Sequence, residues 1–408
     1  MMTARPFGRL FGSYNRARGD ELTAIERELY LLGVPTWRDT RDVPFGHTPT
    51  EIERAIKDPA TSGALLLLTP EIAASPYVLD LEVPEIFARV RRDPTFMIVP
   101  IAAGGLSYEE ATVLVQGRTG SEPLDQWNIH RVENDPLTAN DARAIALRVL
   151  RQRLRIIMNG SGFSPLPINV CTRDAPAFRS DEFALALDHR SAFALDATAS
   201  ATSDVVDALR TLRQEISSIN PLAWLEISGQ VHLSHALALG AIFVATSGLR
   251  LTWIQNRAGY PSERWELLAA EPSSIPLVNV RRGLPRSHGV ALVVSISDSA
   301  ERAFSTVYGA HGPFGATAFV DARSMAPLTP ATASVVAHRV AAAAREARAL
   351  VPECGDLHVF YAGPAGLALM IGQLLTTFDG LVTYEYAADR YMASLRVSRA
   401  STALGIVT

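Results

Sequence analysis

The sequence predicts an α/β protein, with a doubly wound parallel sheet in its first third and two fused α/β halves in the rest. Two observations support this fold class. Across residues 1–159, short apolar runs alternate with helical patterns, which is the order of a doubly wound sheet. Farther on, residues 222–253 and 357–384 each contain an apolar run, a glycine, an Ala/Leu-rich segment, a second glycine and another apolar run.

The composition is typical of a globular protein with large cores. The chain has 408 residues, 48% of them hydrophobic and 20% charged, which predicts two or three domains. A net charge of −4 argues against a nucleic-acid polyelectrolyte binder. Lys57 is the only lysine, so an anion site must use arginine, histidine or backbone N–H groups. Cys171 and Cys354 lack disulfide or zinc spacing, which favours a reducing cytoplasm and no metal. No apolar run approaches membrane-spanning length.

The first third is predicted to contain five strands, at residues 8–14, 34–37, 64–69, 96–101 and 127–132. The first helix begins near Asp20, and the next has Thr48 as its N-cap with Glu51 closing a capping box. A third helix covers residues 75–90, where Pro84 is expected to kink or split it, and residues 139–158 form a closing helix.

Ligands of such sheets bind beyond the carboxyl ends of the strands. Several polar and aromatic residues end the first three strands or closely follow them: Ser13, Tyr14, Trp37, Asp39 and Thr69. The helix that contains Glu82 and Glu85 starts at the same edge. A ligand site is therefore predicted there, although most helix carboxylates are simply solvated and a lone tryptophan is more often a core residue.

The segment LFGSYNRARGDELTAIERELYLLGVPTWRDTRDVPFG resembles the opening of a TIR domain. It has a strand ending near Ser-Tyr, an acidic residue at the first helix, glycine before the second strand, Trp-x-Asp after it and a loop ending in glycine. Residues 75–90 resemble the family's third-helix segment, which carries its catalytic glutamate. The usual Ser-x-Trp-Cys-x-x-Glu spacing is not kept: Tyr77 and Val78 replace Trp and Cys, and Leu81 stands at the glutamate position. Glu82 and Glu85 both stay possible, and Glu82 is favoured.

The TIR resemblance implies a flavodoxin-like fold for residues 1–159 and NAD+ glycohydrolase activity. Cleavage of the nicotinamide–ribose bond passes through an oxocarbenium-like state, which a nearby carboxylate stabilises. The leaving group is already a cationic pyridinium, so no general acid is required. The expected NAD+ pocket contains Ser13, Tyr14, Trp37, Asp39 and Phe45. The alternatives are a non-catalytic TIR signalling scaffold and a nucleoside or ADP-ribosyl transferase.

Residues 160–179 are rich in Gly, Ser and Pro and are predicted to be a linker to a second region at 180–408. When its two repeated stretches are aligned, Gly229 corresponds to Gly363, Gly240 to Gly372, and Gly248 to Gly380. The third glycine of each copy is followed by leucine. This pattern indicates an internal duplication. The alternative is that any two crossovers in an Ala/Gly-rich chain look alike.

The second region resembles a SAVED domain, which is built from two Rossmann-like CARF units. The resemblance is strongest over residues 357–396. It implies a cyclic oligonucleotide activator, with cyclic tri-adenylate as the expected ligand, and a role for the TIR–SAVED combination in the bacterial antiphage system CBASS. The residues expected at the oligonucleotide are Gln230, His232, Trp253, Ser297, Gly363, Pro364, Arg390 and Tyr391.

The loop at residues 38–47 predicts self-association on ligand binding. TIR domains commonly contact one another through this loop. Here it places Val43, Pro44 and Phe45 on a tip flanked by Arg41 and Asp42. An apolar tip ringed by charge is typical of a contact surface, and a head-to-tail contact builds filaments as readily as rings. The alternative is that Phe45 packs onto its own domain.

Overall fold

A computed structural model describes residues 7–43, 47–119, 124–160, 165–174, 182–194, 197–256, 259, 261–269, 276–309, 312–325, 327–351 and 353–398. The chain divides into two compact units. The first comprises Met1–Asn169 with Pro176–Asp188, and the second comprises Val170–Ala175 with His189–Thr408.

The first unit contains a parallel sheet of five strands. They are β1 (Arg9–Ser13), β2 (Thr36–Trp37), β3 (Thr61–Leu68), β4 (Met97–Ala102) and β5 (His130–Arg131). The order is β2-β1-β3-β4-β5, and every neighbouring pair runs parallel. This order is that of flavodoxin-like folds, so the fold class predicted for this region is confirmed. All eight residues of β3 are buried, as expected for a central strand covered on both faces.

Six helices of the first unit flank or follow these strands. They are α1 (Gly19–Leu31), α2 (Asp39–Asp42), α3 (Thr48–Lys57), α4 (Val83–Arg92), α5 (Tyr108–Leu114) and α6 (Ala139–Gly160). Two predicted helix starts are wrong. Asp20 lies inside α1, and α3 begins at Thr48 itself, with His47 as N-cap and no side-chain cap. Glu51 pairs with Arg54 instead of closing a capping box.

The predicted helix at residues 75–90 is split, as Pro84 suggested. A turn of π-helix covers Tyr77–Glu82, and α4 follows directly, with Pro84 in its first turn. Proline is tolerated there because the first N–H groups of a helix have no intrahelical partner. The wider turn places Glu82 at the junction between the two helical pieces.

The boundary between the units falls within β6 (Leu166–Cys171), and β7 (Leu185–Asp188) belongs to the first unit. The first long helix of the second unit is α7 (Ala199–Ile219). The elements β8 (Trp224–Gln230), α8 (Leu233–Ile242), β9 (Arg250–Gln255) and β10 (Glu263–Glu266) follow in turn. β8 and β9 are parallel, and β10 pairs antiparallel with β9.

The rest of the second unit forms a six-stranded sheet with three helices. Its elements are β11 (Leu277–Arg282), β12 (Val290–Ser295), α9 (Ala300–Tyr308), β13 (Ala316–Asp321), α10 (Pro330–Ala349), β14 (Asp356–Ala362), α11 (Ala365–Leu374), β15 (Gly380–Ala387) and β16 (Arg390–Ser398). The order is β11-β13-β12-β14-β15-β16. The four inner strands are parallel and the two edge strands are antiparallel.

The sequence repeat corresponds to a structural repeat. β8-α8-β9 and β14-α11-β15 are the same strand–helix–strand unit, each ending in an antiparallel strand. One detail of the predicted pairing is wrong. Gly229 lies inside β8, whereas Gly363 lies between β14 and α11, so these two glycines are not equivalent. Among the described residues, no helix combines the length and apolarity needed to cross a bilayer.

Candidate functional site

The first candidate site lies at the carboxyl end of β1. Ser13, the last residue of β1, donates a hydrogen bond from Oγ to Oε2 of Glu82, at 2.5 Å. Ser13 is 1% exposed and Glu82 is 7% exposed. Glu82 reaches this position because it ends the π-helical turn, which directs the carboxyl group toward the sheet.

Burial has the largest effect on the pKa of Glu82 and raises it to about 7. The Ser13 hydrogen bond lowers this pKa, the charge of Asp39 raises it, and the charge of Arg16 lowers it. A carboxyl group with a pKa near neutrality exchanges its proton readily at physiological pH. Such perturbed groups are concentrated at functional sites.

Asp39 lies beside this pair, at the start of α2. Its Oδ1 accepts a hydrogen bond from the Tyr14 hydroxyl at 2.9 Å, and its Oδ2 accepts two from Arg16, at 2.9 and 3.2 Å. Arg38 donates from Nε to the Tyr14 hydroxyl at 2.9 Å. The structure thus brings together Ser13, Tyr14, Asp39 and Glu82. Arg16 and Arg38 were not among the predicted site residues, although any anion site was expected to use arginine, histidine or backbone N–H groups.

Glu85, the second carboxylate considered, lies elsewhere. Its Oε2 is 3.3 Å from Nζ of Lys57, which belongs to α3. Glu85 therefore belongs to a surface ion pair, whereas Glu82 lies at the ligand edge of the sheet. The sequence pattern allows either glutamate as the catalytic residue. In the structure, the π-helical turn directs the two side chains to different places.

Two other residues expected in the NAD+ pocket, Trp37 and Phe45, are not among the contacts described above. Trp37 is 3% exposed and stacks on Phe11, with ring centroids 5.0 Å apart. Its ring belongs to the core of the first unit and offers almost no exposed surface to a flat ligand in this structure. Pro44 and Phe45, two of the three residues of the predicted apolar tip, lie outside the described residues. Val43, the third, is partly buried and packs against the core of the first unit.

The second candidate site lies at the N-terminus of α8. His232 is the N-cap, its backbone N–H donates to Oγ1 of Thr172 at 2.7 Å, and its Nδ1 lies 2.9 Å from the same oxygen. The imidazole stacks on Phe193, with centroids 4.7 Å apart and planes 9° apart. Burial lowers the pKa of His232, and the nearby charge of Glu385 opposes this shift. His232 is therefore favoured in its neutral form.

A carboxylate already occupies this helix N-terminus. Oε2 of Glu385 accepts a hydrogen bond from the Ser234 backbone N–H at 3.1 Å, and its Oε1 lies 3.2 Å from Nη2 of Arg173. The first turn of a helix and an arginine are the groups that bind phosphate. The sequence reasoning missed Arg173, Ser234 and Glu385, since they come together only through the fold.

The equivalent helix start in the second half has neutral partners. Pro364 is the N-cap of α11, and the N–H of Gly366 lies 3.4 Å from Oε1 of Gln255. Trp253 is 2% exposed and packs on Gly366, where an added Cβ would lie 2.8 Å from its ring. Trp253 is thus a core residue that fixes the start of α11.

The remaining predicted residues lie at strand ends. The backbone oxygen of Gln230 accepts hydrogen bonds from the N–H groups of Thr172 and Arg173, at 3.0 and 3.3 Å. Ser297 donates its N–H to the Ala362 oxygen at 3.1 Å, next to Gly363. These contacts fix the backbone at the carboxyl ends of β8, β12 and β14.

Arg390 and Tyr391 begin β16, directly after the turn that leaves β15. Arg390 is exposed. Tyr391 is 4% exposed and meets Phe360 edge to face at 5.3 Å, so its ring belongs to the core and is not exposed for stacking on a base in this structure. Tyr386, which sequence reasoning missed, has the exposed ring of this hairpin. The described residues contain no cluster of three or more potential metal ligands.

Comparison with known proteins identifies the second unit. Residues 189–397 match the family model described as SAVED, "SMODS-associated and fused to various effectors sensor domain". A search of curated proteins finds no match. Among solved structures, the chain is similar to the Acinetobacter baumannii Cap4 SAVED/CARF-domain containing receptor with the cyclic trinucleotide 3′3′3′-cAAA. The identity is 11%, the alignment covers 93% of this chain and 98% of that one, and the TM-score is 0.48.

A second similar structure is the Moraxella osloensis Cap4 SAVED/CARF-domain containing receptor. Its identity is 14%, the alignment covers 94% of this chain and 100% of that one, and the TM-score is 0.42. The family match, in contrast, covers slightly more than half of this sequence, residues 189–397 of 408. The protein therefore belongs to the SAVED family of sensor domains.

Proposed function

We propose that the protein is a TIR–SAVED effector of CBASS antiphage defence, in which binding of a cyclic oligonucleotide to the second unit activates NAD+ hydrolysis by the first. The family description supports the division of labour, because it names a sensor domain fused to effectors. The TIR-like sequence pattern supports the assignment of the effector. The single observation that carries the enzymatic part is the buried Ser13–Glu82 pair at the ligand edge of a flavodoxin-like sheet.

The proposed ligand is a cyclic oligonucleotide, with cyclic tri-adenylate expected from the family resemblance. The two repeated halves each offer a helix that starts directly after a strand, and such helix starts favour phosphate groups. Arg173 and the Ser234 N–H already hold a carboxylate together, which supports an anion-binding role for the start of α8. Glu385 must withdraw before a phosphate can take that place.

In the proposed reaction, the bond between ribose C1′ and the nicotinamide nitrogen breaks. Its electron pair goes to nicotinamide, which leaves neutral, and positive charge develops on the ribose. The Glu82 carboxylate stabilises this charge. Water then adds to C1′ and releases a proton to solvent, giving ADP-ribose. Hydrolysis without a metal or a general acid fits this residue set.

Because Glu82 is 7% exposed in this structure, the proposed reaction requires the site to open. Asp39 begins α2, which lies within the segment at residues 38–47 that is expected to make self-contacts. A neighbouring chain that contacts this segment would act on the Asp39 side of the site. We therefore include self-association into an oligomer or filament as the activating step.

The test is nicotinamide release from NAD+ by the full chain, measured alone and with a panel of cyclic oligonucleotides, with identification of the other product. Release that depends on one cyclic oligonucleotide supports the proposal, with ADP-ribose or its cyclised form as product. Ligand binding and assembly without NAD+ turnover would instead favour the signalling scaffold. Transfer of the ribosyl group to a nucleophile other than water would favour a transferase.

A further inference from the structure

The carboxyl group of Glu82 is nearly isolated from water and accepts a hydrogen bond from one neighbouring hydroxyl, that of Ser13. Ser13 Oγ lies 2.5 Å from Glu82 Oε2, and both residues are buried. A distance this short is typical of a hydroxyl that donates to an ionised carboxylate. The ionised form of Glu82 is therefore the form that this contact favours.

No cation neutralises Glu82 at close range among the described residues. Two charged groups face it: Asp39, which disfavours the ionised form, and Arg16, which favours it. Arg16 is already engaged by Asp39, through contacts of 2.9 and 3.2 Å. Tyr14 also directs its hydroxyl at Asp39. Because Arg16 and Tyr14 are both engaged by Asp39, neither of them replaces the hydrogen bond that Ser13 donates to Glu82.

The two partners differ in how firmly the fold holds them. Ser13 is fixed at the carboxyl end of β1, where it pairs with Leu66 of the central strand β3. Glu82 ends a π-helical turn, a wider and rarer form of helix that is frequent at functional sites. The rigid strand thus positions a side chain on the less regular element. Support of a reacting group by a buried neighbour is a general requirement of catalytic sites.

Resting on the proposed NAD+ hydrolysis, we propose that Ser13 is a positioning residue for Glu82, whose hydroxyl holds the carboxylate in place and keeps it ionised for the ribosyl cation. Ser13 does not itself need to touch the substrate. This role differs from the binding role that the sequence suggested for it. It predicts that loss of the hydroxyl changes the pH at which Glu82 loses its proton.

The variants separate the hydroxyl from the volume of the side chain. Ser13→Ala removes the donor, Ser13→Cys keeps a similar volume with a weak donor, and Ser13→Thr restores a hydroxyl. The charge-assisted bond is expected to shift the titration of Glu82 by about one pH unit or more. Ser13→Ala and Ser13→Cys are therefore expected to titrate at higher pH than wild type, and Ser13→Thr close to it.

Two readouts apply to the full chain. The first is carbon-13 NMR of glutamate carboxyl groups across pH, with the Glu82 signal assigned by its loss in Glu82→Gln. The second is the pH dependence of nicotinamide release with cyclic tri-adenylate present. In Ser13→Ala, the acid limb of this profile is expected to move upward by the same shift, with turnover lost at pH 7 and partly regained near pH 9.

The outcomes distinguish this inference from the proposed function. A shifted NMR titration in a chain that never cleaves NAD+ supports the Ser13–Glu82 link and overturns the hydrolase. NAD+ cleavage with an unshifted titration in Ser13→Ala overturns the inference and leaves the hydrolase standing. Higher activity of Ser13→Ala in the absence of oligonucleotide, with an unshifted titration, would also overturn it, because the contact would then be an inhibitory latch.

Discussion

Gly240 of α8 and Gly372 of α11 occupy equivalent positions in the two repeated halves, 132 residues apart (372 − 240), and each packs against the backbone of the other helix. A Cβ added to Gly240 would lie 2.1 Å from the Leu369 oxygen, and one added to Gly372 would lie 2.3 Å from the Leu237 oxygen. The contact is reciprocal, as expected for two copies of one unit related by an approximate two-fold axis. Glycine is required here because the helices approach too closely for any side chain.

This packing predicts that Gly240→Ala and Gly372→Ala each destabilise the second unit, by about 1–3 kcal/mol, because the added methyl group forces the helices apart. Chemical denaturation measures the change. Gln214→Ala, at an exposed position of α7, is the control for alanine in a helix and should change stability little. The double variant should lose less than the sum of the single losses, since one displacement relieves both contacts. Strictly additive losses would argue against a shared helix crossing.

Glu82→Gln is expected to abolish NAD+ cleavage while leaving oligonucleotide binding intact, because the neutral amide cannot stabilise a ribosyl cation. Glu85→Gln is the matched control, since Glu85 pairs with Lys57 on α3. Its turnover should stay within a few-fold of wild type. An inactive Glu85→Gln beside an active Glu82→Gln would move the catalytic role to Glu85.

The raised pKa of Glu82 also predicts that the free energy of unfolding depends on pH. Its pKa is raised from 4.5 to about 7 in the folded chain, so the stabilisation associated with its protonated form is fully present below pH 4.5. It is lost as the pH rises through about 7, at a cost on the order of 3 kcal/mol above that pH. Glu82→Gln should be the more stable protein at pH 8 and lose this dependence. Parallel pH profiles of unfolding for both proteins would contradict the assignment.

Glu385→Gln is expected to raise the affinity for cyclic tri-adenylate several-fold, equivalent to about 1 kcal/mol. The substitution removes a charge that competes with phosphate for the Ser234 N–H and for Arg173. Fluorescence anisotropy with a labelled oligonucleotide measures the affinity. Glu353→Gln removes the same charge at an exposed position and controls for net charge. Weaker binding by Glu385→Gln alone would mean that this carboxylate contacts the ligand or supports its site.

The sequence predicted most of the fold because the central strands, such as β3, β4 and β12, are buried along their whole length and form continuous apolar runs. The repeat is visible in the sequence for the same reason, and the equivalence of Gly240 and Gly372 in the sequence corresponds to their contact in the structure. Helix starts were less predictable: Thr48 has the residue type of an N-cap, yet Glu51 pairs with Arg54. Apolar patterns do not specify which competing polar partner a side chain takes.

The candidate sites were only partly predictable, because they depend on side-chain direction. Glu82 and Glu85 are equally plausible in one dimension, and the π-helical turn decides which of them meets Ser13. Trp37 and Tyr391 have residue types suited to stacking on ligands, but both rings fill core space. Arg173 and Glu385 are 212 residues apart in the chain, and no local pattern joins them.

We propose that oligonucleotide binding to the SAVED domain switches on NAD+ cleavage at Glu82. The most direct measurement is the rate of nicotinamide release by the full chain, with and without saturating cyclic tri-adenylate, for wild type and Glu82→Gln side by side. We expect release by wild type only when the oligonucleotide is present, and none by the variant. Equal release from both proteins, or no release by wild type with any cyclic oligonucleotide that it binds, would overturn this activation mechanism.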